Sequence, residues 1–394
     1  MSKRLFIIIC LVCLGCLASM TIYQQLQVQA QAMRGQQGVT VVDSEKTKPQ
    51  IQTITLTAAG DCLMHGPQIR SGLQVDGSFC FDNFFVDVKD LINDGDYSST
   101  DFEAALAGPE TGYTGYPMFN SPDAIATTFK EAGFDLVVTV NNHSLDRGYK
   151  GAIRTLDVLQ KAGLDTVGTY RNEKEARSFL IKDIKGVKVG YLAYSYGTNG
   201  LPVPGEHPEF FNFLDRDKIL TDIEILRPQV DVLILVLHWG QEYQPKPTQE
   251  QELMAHEFLN AGADVILGNH PHVIQTMEIV KVRNKDKFVI YSMGNFISAQ
   301  HGQERNSGIV LKMKFTKNFN SSETLLDEVT YTPTYSHPYY EQGKLKYRVI
   351  PVEAGIERIK QGQDPFMNER DLPVLEAVLQ STRGQLGEPY YRIN

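Results

Sequence analysis

Three times along this sequence a helical pattern closes on Ala-Gly and is followed by an aspartate and an apolar run. The three units lie at 130–138, 160–167 and 259–267. Glycine just beyond a helix end is a common stop signal, and a short apolar run bounded by such signals indicates a buried strand. Because strands that alternate with helices build βαβ units, the sequence predicts an α/β domain with substantially parallel or mixed sheets.

Other strands and two helix starts are also indicated by the sequence. Ser121-Pro122 predicts an N-cap followed by proline at the first helical position, and Thr248 with Gln251 forms a capping-box pattern. Alternating or continuous apolar residues predict further strands at 51–58, 97–102, 187–194, 232–237 and 288–292.

The N-terminus has the pattern of an export signal. Lys3 and Arg4 precede an uncharged stretch at 5–23, whose length is close to the ~20 residues that span a bilayer. We expect an uncleaved anchor that holds the protein at the extracellular face of a bacterial cell membrane. The alternatives are a cleaved signal ending at Ala30-Gln31-Ala32, which would give a secreted protein, and lipidation of Cys16.

The rest of the chain divides into three segments. A Gln- and Thr-rich linker is expected at 24–50, the main domain at 51–352 and a C-terminal helical extension at 353–394. Beyond residue 315 the strand-like segments are isolated, so this tail is either a completing edge of the sheet or a small appendage. Cys62 and Cys80 are the cysteines outside the N-terminal segment, and an oxidising compartment would allow one bridge between them.

The composition narrows the class of function. With 42% hydrophobic and 22% charged residues, the chain is close to the globular average. Its net charge of −9 argues against nucleic acid as a partner, because nucleic-acid-binding proteins concentrate positive charge.

Polar residues suited to metal binding follow five of the predicted strands directly. Each taken alone has an ordinary structural explanation, but ligands of open α/β sheets gather at the carboxyl ends of strands, so the five segments are expected to converge. They are Gly60-Asp61, Glu103, Asn141-Asn142-His143, His238-Trp239-Gly240 and Gly268-Asn269-His270-Pro271-His272.

Imidazole and carboxylate ligands suit divalent zinc, manganese or iron, and a bridging carboxylate can hold two ions about 3.5–4 Å apart. Such a pair activates a water at neutral pH and stabilises charge on both oxygens of a phosphoester hydrolysis. Arg70 and Arg147 could hold an anionic group of a substrate, although arginines in loops are usually only solvated. Neither a Walker-type phosphate loop nor a Gly-x-Ser-x-Gly nucleophile turn is present in the sequence.

Over residues 53–352 the chain resembles the CapA/PgsA family of capsule and poly-γ-glutamate synthesis proteins. This family looks like a branch of the calcineurin-like metallophosphoesterase superfamily. Six phrases carry the resemblance: Gly60-Asp61 with His65, Asp101-Phe102-Glu103, Asn141 to Gly148, His238-Trp239-Gly240-Gln241-Glu242, Gly268 to His272, and Tyr291-Ser292-Met293-Gly294-Asn295-Phe296.

The resemblance implies a four-layer α/β/β/α sandwich of the metallophosphoesterase type, with two divalent ions (manganese, iron or zinc) in its site. It also implies a role for each matching residue. Asp61 and His272 would bind the first ion, Asn142, His238 and His270 the second, with Glu103 between them and His143 as general acid or charge stabiliser.

The sequence departs from the superfamily pattern in its first two motifs. The opening Asp-x-His is Asp61-Cys62-Leu63 here, so His65 replaces the missing histidine only if the loop folds back. The second motif has become Asp101-Phe102-Glu103. These changes affect the first ion most, and the alternatives are a site with a single ion or a loosely held pair of ions.

The resemblance implies a membrane-anchored extracellular hydrolase that cleaves a phosphoester or a bond in an anionic surface polymer, during capsule or poly-γ-glutamate production or export. Its partners would be the membrane subunits of a polymer synthase or exporter. The alternative is a non-catalytic accessory subunit that binds such a synthase.

Overall fold

The computed structural model describes residues 20–22, 24–29, 50–388 and 390–392. The chain forms two compact units, 1–49 and 50–394. In the first unit the described residues are helical and exposed. Most of the predicted signal segment and linker lie outside the described residues. Within the described ranges, no helix combines the length and the apolar character needed to cross a membrane.

Two β-sheets form the centre of the second unit. The first contains β1 (Ile51–Leu63), β2 (Tyr97–Glu103), β3 (Leu136–Val138), β4 (Asp165–Val167), β11 (Asn295–Ile297), β12 (Ser307–Asn318), β13 (Glu323–Glu341), β14 (Lys344–Pro351) and β15 (Tyr390–Arg392). The second contains β5 (Leu180–Ile184), β6 (Val187–Ser195), β7 (Val232–His238), β8 (Val265–Asn269), β9 (Met277–Val282) and β10 (Lys285–Ile290).

Both sheets are mixed, as predicted. The first has the order β14-β13-β12-β1-β2-β3-β4, with β11 beside β1 and β15 beside β13. Its β1 to β4 are parallel, and β12 to β14 form an antiparallel meander. The second has the order β5-β6-β7-β8-β10-β9, with parallel central strands and an antiparallel strand at each edge.

The described part of the second unit also contains nine α-helices. They are α1 (Gly66–Gly72), α2 (Lys89–Asn93), α3 (Ala124–Ala132), α4 (Gly148–Lys161), α5 (Glu173–Ala176), α6 (Arg216–Leu226), α7 (Gln249–Ala261), α8 (Val352–Lys360) and α9 (Leu372–Leu386). The capping box of Thr248 and Gln251 at α7 is confirmed. The predicted start of α3 at Ser121 is wrong: the Ser121 N–H bonds to the Ala105 carbonyl, so a turn comes first and α3 begins at Ala124.

Three clusters of buried apolar side chains lie between the layers of the second unit. One joins the facing sides of the two sheets, one packs the first sheet against α3 and α4, and one packs the second sheet against α6 and α7. Strand β7 contributes to two of them, because Ile234 faces the other sheet while Leu233 and Leu235 face the helices. Burial on both faces explains the continuous apolar run of β7. The four-layer α/β/β/α sandwich is therefore confirmed.

The tail completes the edge of the first sheet. Strands β13 and β14 extend this sheet beyond β12, and the backbone of β15 pairs with β13. Helices α8 and α9 pack there in a small cluster that contains Ile350, Ile356 and Leu375. Cys62 and Cys80, whose pairing the sequence left open, are both free thiols.

Candidate metal centre

The carboxyl ends of strands from both sheets meet at one edge of the sandwich. Asp61 lies near the end of β1 opposite Asp101, and Glu103 is the last residue of β2. His238 ends β7 and pairs with Asn269, which ends β8. Within the described chain, four overlapping groups of side chains have ligand atoms within 4.8 Å of one another: Glu103–His238–His270, Asp61–Glu103–His272, Asp61–Asp101–His238 and Glu242–His270–His272.

Two of these groups define two candidate ion positions. The "His238 position" is the group Glu103, His238 and His270, and the "His272 position" is the group Asp61, Glu103 and His272. Glu103 belongs to both groups, so its carboxylate lies between the two positions. The bridging role that the sequence resemblance implied for Glu103 remains a prediction.

The carboxylate of Glu103 indicates what this centre could hold. Its side chain is fully buried, and neither oxygen has a hydrogen-bond donor of acceptable geometry. The nearest charged partners are His238 Nε2, 2.8 Å from Oε1, and His272 Nε2, 3.7 Å from Oε2. A buried carboxylate whose nearest partners are poorly aligned imidazoles is costly, and a divalent cation would satisfy it. The donor set of imidazole and carboxylate therefore fits a divalent metal ion.

His238 is held by polar partners on both ring nitrogens. Its Nε2 lies 2.8 Å from Oδ1 of Asn142 and 2.8 Å from Glu103, so three potential ligand atoms converge. Its Nδ1 lies 2.8 Å from Asp101 Oδ2, and Asn141 donates to the other oxygen of Asp101 at 3.0 Å. A carboxylate behind the imidazole fixes the orientation of a metal-binding histidine and raises its basicity.

His272 has a different set of partners. Its Nδ1 lies 3.2 Å from Oδ2 of Asp61 and 3.0 Å from Oδ1 of Asn295. Asn295 is the first residue of β11 and pairs in register with Asp61, which brings it to the centre. Nε2 of His272 is thereby directed towards Glu103.

The backbone at the end of β8 is strained at both histidines. His270 has φ of 95° and His272 has φ of 58°. Residues other than glycine rarely adopt positive φ, and this conformation costs about 1–3 kcal/mol per residue. Such strain persists where the surrounding structure enforces it and is concentrated at functional sites. Nearby, a Cβ on Gly268 would lie 1.9 Å from the Tyr291 carbonyl oxygen, so only glycine fits between these strands.

His143 lies beside the two positions with one ring nitrogen occupied. Its Nδ1 is 2.8 Å from Oδ2 of Asp146, an oxygen that also accepts the Phe119 N–H at 2.6 Å. The ring packs edge-on against Phe119 with centroids 4.6 Å apart, and it is buried. The contact with Asp146 fixes the orientation of the imidazole and leaves Nε2 for a reacting group.

The charges in the centre depend on one another. Burial disfavours a charged His238, but Glu103 and Asp101 outweigh burial and raise its pKa to about 10. Burial also lowers the pKa of His272, but Glu103 and Asp61 outweigh this effect and raise that pKa to about 9. Burial and the nearby charge of His238 lower the pKa of His270 to about 2. Without an ion, protons on two histidines balance the buried carboxylates, and a bound cation would replace them.

The additional candidates from the sequence have varied positions. Asp101 lies in the centre as the partner of His238. His65 is the N-cap of α1, with its Nδ1 3.4 Å from the Ala299 N–H, and it is in none of the ligand groups found among the described residues. The Arg147 guanidinium donates to the Met118 carbonyl at 2.9 Å and to Thr114, so it holds the 114–118 loop.

The structure adds three residues to the candidate site that lie within the sequence motifs but for which the sequence predicted no role. Asp146 follows His143 at a spacing of three, and its part in orienting the ring appears only in the folded turn. Asn295 and Glu242 also reach the histidines through tertiary contacts. No sequence motif pointed to Tyr196. The centroid of its ring lies 4.5 Å from that of His270, so Tyr196 forms part of the wall of the centre.

Comparison with known proteins gives the family. The sequence pattern of the bacterial capsule synthesis proteins called PGA_cap matches residues 55–300. The chain belongs to this family. The CapA/PgsA resemblance that the motifs indicated is thereby confirmed.

Two relatives from Bacillus species show the extent of the similarity. The chain is 29% identical to the capsule biosynthesis protein CapA of Bacillus anthracis over 63% of its own length and 61% of that protein. It is 26% identical to the PGA biosynthesis protein CapA of Bacillus subtilis, over 72% of the chain and 76% of that protein. The match thus spans less than two thirds of the Bacillus anthracis protein.

Among solved structures, the 5'-nucleotidase precursor of Thermus thermophilus is similar, with a TM-score of 0.42 and 15% identity over 84% of this chain and 59% of that chain. A phosphatase from Mycoplasma pneumoniae has a TM-score of 0.39 and 13% identity over 72% of this chain and 94% of that chain.

Proposed function

We propose that this member of the capsule synthesis family is a metal-dependent hydrolase that cleaves a phosphoester or a bond in a surface polymer. The single observation that supports this most is the buried Glu103 carboxylate, which lacks a well-aligned hydrogen-bond donor, has imidazoles as its charged partners and is shared by two groups of ligands. A purely structural role would leave this charge uncompensated except by protonated histidines.

The proposed ligands follow from the two positions. Asp61 and His272 would hold the first ion, Asn142, His238 and His270 would hold the second, and Glu103 would contribute to both. Two divalent ions would supply an activated water and stabilise charge on the attacking and leaving oxygens. Manganese, iron and zinc all suit this donor set.

His143 is the proposed general acid. With Nδ1 held by Asp146, its Nε2 can donate a proton to the leaving oxygen or stabilise the charge that develops there. Burial of the ring among Phe119 and the 141–147 turn keeps water away from this proton transfer.

The proposed place of action is the extracellular face of the cell membrane, with the chain anchored through its N-terminal apolar segment. Lys3 and Arg4 before the uncharged stretch at 5–23 support export. The names of the two Bacillus relatives support a role in capsule or poly-γ-glutamate synthesis. The partners would then be membrane subunits of a polymer synthase or exporter, and the substrate an anionic polymer or a phosphoester.

The test compares wild type with His143→Ala and with a control, His256→Ala, which removes an exposed histidine of α7. Manganese-loaded proteins are assayed on phosphomonoesters, phosphodiesters and poly-γ-glutamate. We expect hydrolysis of one class, a loss of about 10²–10⁴-fold in kcat for His143→Ala, and unchanged metal content in all three proteins. Equal rates in wild type and His143→Ala would contradict the proposal.

A second candidate function is a non-catalytic accessory subunit of a polymer synthase. The specific observation in its favour is at the first motif, where Cys62 and Leu63 follow Asp61. His65 instead accepts a hydrogen bond from the Ala299 N–H through its Nδ1. In that case the centre binds metal for structure or polymer contact. Metal bound without any hydrolysis in the same assay would favour this function.

A further inference from the structure

Glu242 is a carboxylate at the metal centre for which neither the sequence nor the proposed mechanism gives a role. One of its oxygens lies within 4.8 Å of ligand nitrogens of both His270 and His272. These histidines belong to different ion positions, so the carboxylate reaches towards both. Glu242 itself is exposed, whereas the two histidines and Glu103 are buried. Glu103 therefore closes the centre from the interior, and Glu242 lies on its solvent side.

The loop that carries Glu242 is held against the histidine segment. The Tyr243 N–H donates to the Pro271 carbonyl at 2.7 Å, which ties the residue after Glu242 to the residue between the two histidines. Tyr243 has φ of 63°, and the Arg305 guanidinium lies 3.9 Å from the centre of its ring. The position of Glu242 over the centre is thus built by specific contacts.

Buried groups in the centre independently point to a ligand at this place. Nδ1 of His270 has no hydrogen-bond partner, although the side chain is only 3% exposed. Both oxygens of Glu103 lack a well-aligned donor as well, although His238 Nε2 lies 2.8 Å from Oε1. A cation between these groups would satisfy them, and a carboxylate on the solvent side would complete its coordination.

The exposure of Glu242 sets it apart from the other carboxylates. Asp61 and Glu103 are fully buried, so moving either one would leave a charge without solvent or partner. Glu242 can turn into water at little cost, because its carboxylate is already exposed to solvent. An oxyanion that approaches both ion positions from solvent meets this carboxylate first, and their like charges compete for the same cations.

We propose that Glu242 is a displaceable ligand, which closes the metal centre from the solvent side and gives way to the oxyanion of a substrate or product. This inference rests on the metal centre of the proposed function. The proposal predicts two opposite effects of one substitution. Removing the charge of Glu242 should weaken metal binding and strengthen anion binding.

The experiment uses wild type, Glu242→Gln and a charge-matched control, Glu224→Gln, which alters an exposed glutamate of α6. Calorimetry measures the Kd of Mn²⁺ for the metal-free proteins and the Kd of inorganic phosphate for the manganese-loaded proteins. For Glu242→Gln we expect the Mn²⁺ Kd to rise about tenfold and the phosphate Kd to fall about tenfold, with Glu224→Gln matching wild type.

Two results would overturn this inference alone. If both dissociation constants of Glu242→Gln equal those of wild type, the Glu242 carboxylate is not a ligand. If Mn²⁺ binding is weaker but phosphate binding is unchanged, Glu242 is a ligand that phosphate does not displace. If wild type binds no Mn²⁺, the inference fails together with the metal centre of the proposed function.

Discussion

The two candidate ion positions share Glu103 but are built differently. At the His238 position, the histidine ends a central strand, and both of its ring nitrogens have buried polar partners in Asp101, Asn142 and Glu103. At the His272 position, the histidine lies in the loop after β8, and its partners are more distant: Nδ1 is 3.2 Å from Asp61 and 3.0 Å from Asn295, and Nε2 is 3.7 Å from Glu103.

The difference suggests an order of filling. Ligands that are already oriented lose little entropy on binding, so the preformed His238 position should bind its ion more tightly. His65 does not complete the His272 position, since it is in none of the ligand groups of the described residues. We therefore expect two binding events of unequal affinity, with the His238 position filled first.

The largest effect is expected from Glu103→Gln, because this residue serves both positions. The neutral amide offers one weak oxygen in place of a carboxylate between two cations, so binding at both positions should weaken by about 100-fold or more. Metal analysis after equilibrium dialysis measures this, with Glu224→Gln as the control. Loss of only one ion would show that Glu103 does not bridge.

A smaller and selective effect is expected from the residues behind the histidines. Asp101→Asn should weaken the tighter binding event by about 10–100-fold, because His238 loses the carboxylate that orients it. Asn295→Ala should weaken only the looser event, by about tenfold, since its amide oxygen faces His272. Calorimetric titration separates the events, and an equal change of both by either substitution would contradict the assignment.

The smallest effect is expected from pH. His238 and His272 have pKa values of about 10 and 9 in the folded metal-free protein, above the ordinary histidine value of about 6.5. Their protons stabilise the metal-free fold fully below pH 6.5, and this contribution is lost as the pH rises through 9 to 10. Metal ions need neutral imidazoles, so binding should release protons and tighten as the pH rises from 7 to 9.

Proton release is measured by calorimetry in buffers of different ionisation enthalpy. His256→Ala serves as the control, because His256 is exposed and lies in α7. Binding heats that are the same in all buffers, or affinity that falls as the pH rises, would contradict the expected charges of the two histidines.

Much of the fold and the centre could be predicted because the signals are local. The Ala-Gly helix ends and the apolar runs identify strands such as β3 and β8, and a polar residue after a parallel strand is placed at the sheet edge by topology alone. Asp61, Glu103, His238 and His270 therefore converge as the sequence suggested.

The remaining features depend on contacts that a single sequence does not contain. Asn295 reaches His272 because β11 pairs with β1, and the start of α3 shifts because Ser121 bonds to Ala105, sixteen residues earlier. The position of Glu242 depends on the bond between Tyr243 and Pro271. In each case a tertiary hydrogen bond decides the outcome, and local propensity does not reveal it.

The most direct test of the two-ion centre is anomalous X-ray diffraction from crystals grown with Mn²⁺. Two anomalous peaks about 3.5–4 Å apart are expected on either side of the Glu103 carboxylate, with the higher occupancy beside His238 and His270. A single peak at either position, or no peak within reach of Glu103, would contradict the two-ion centre.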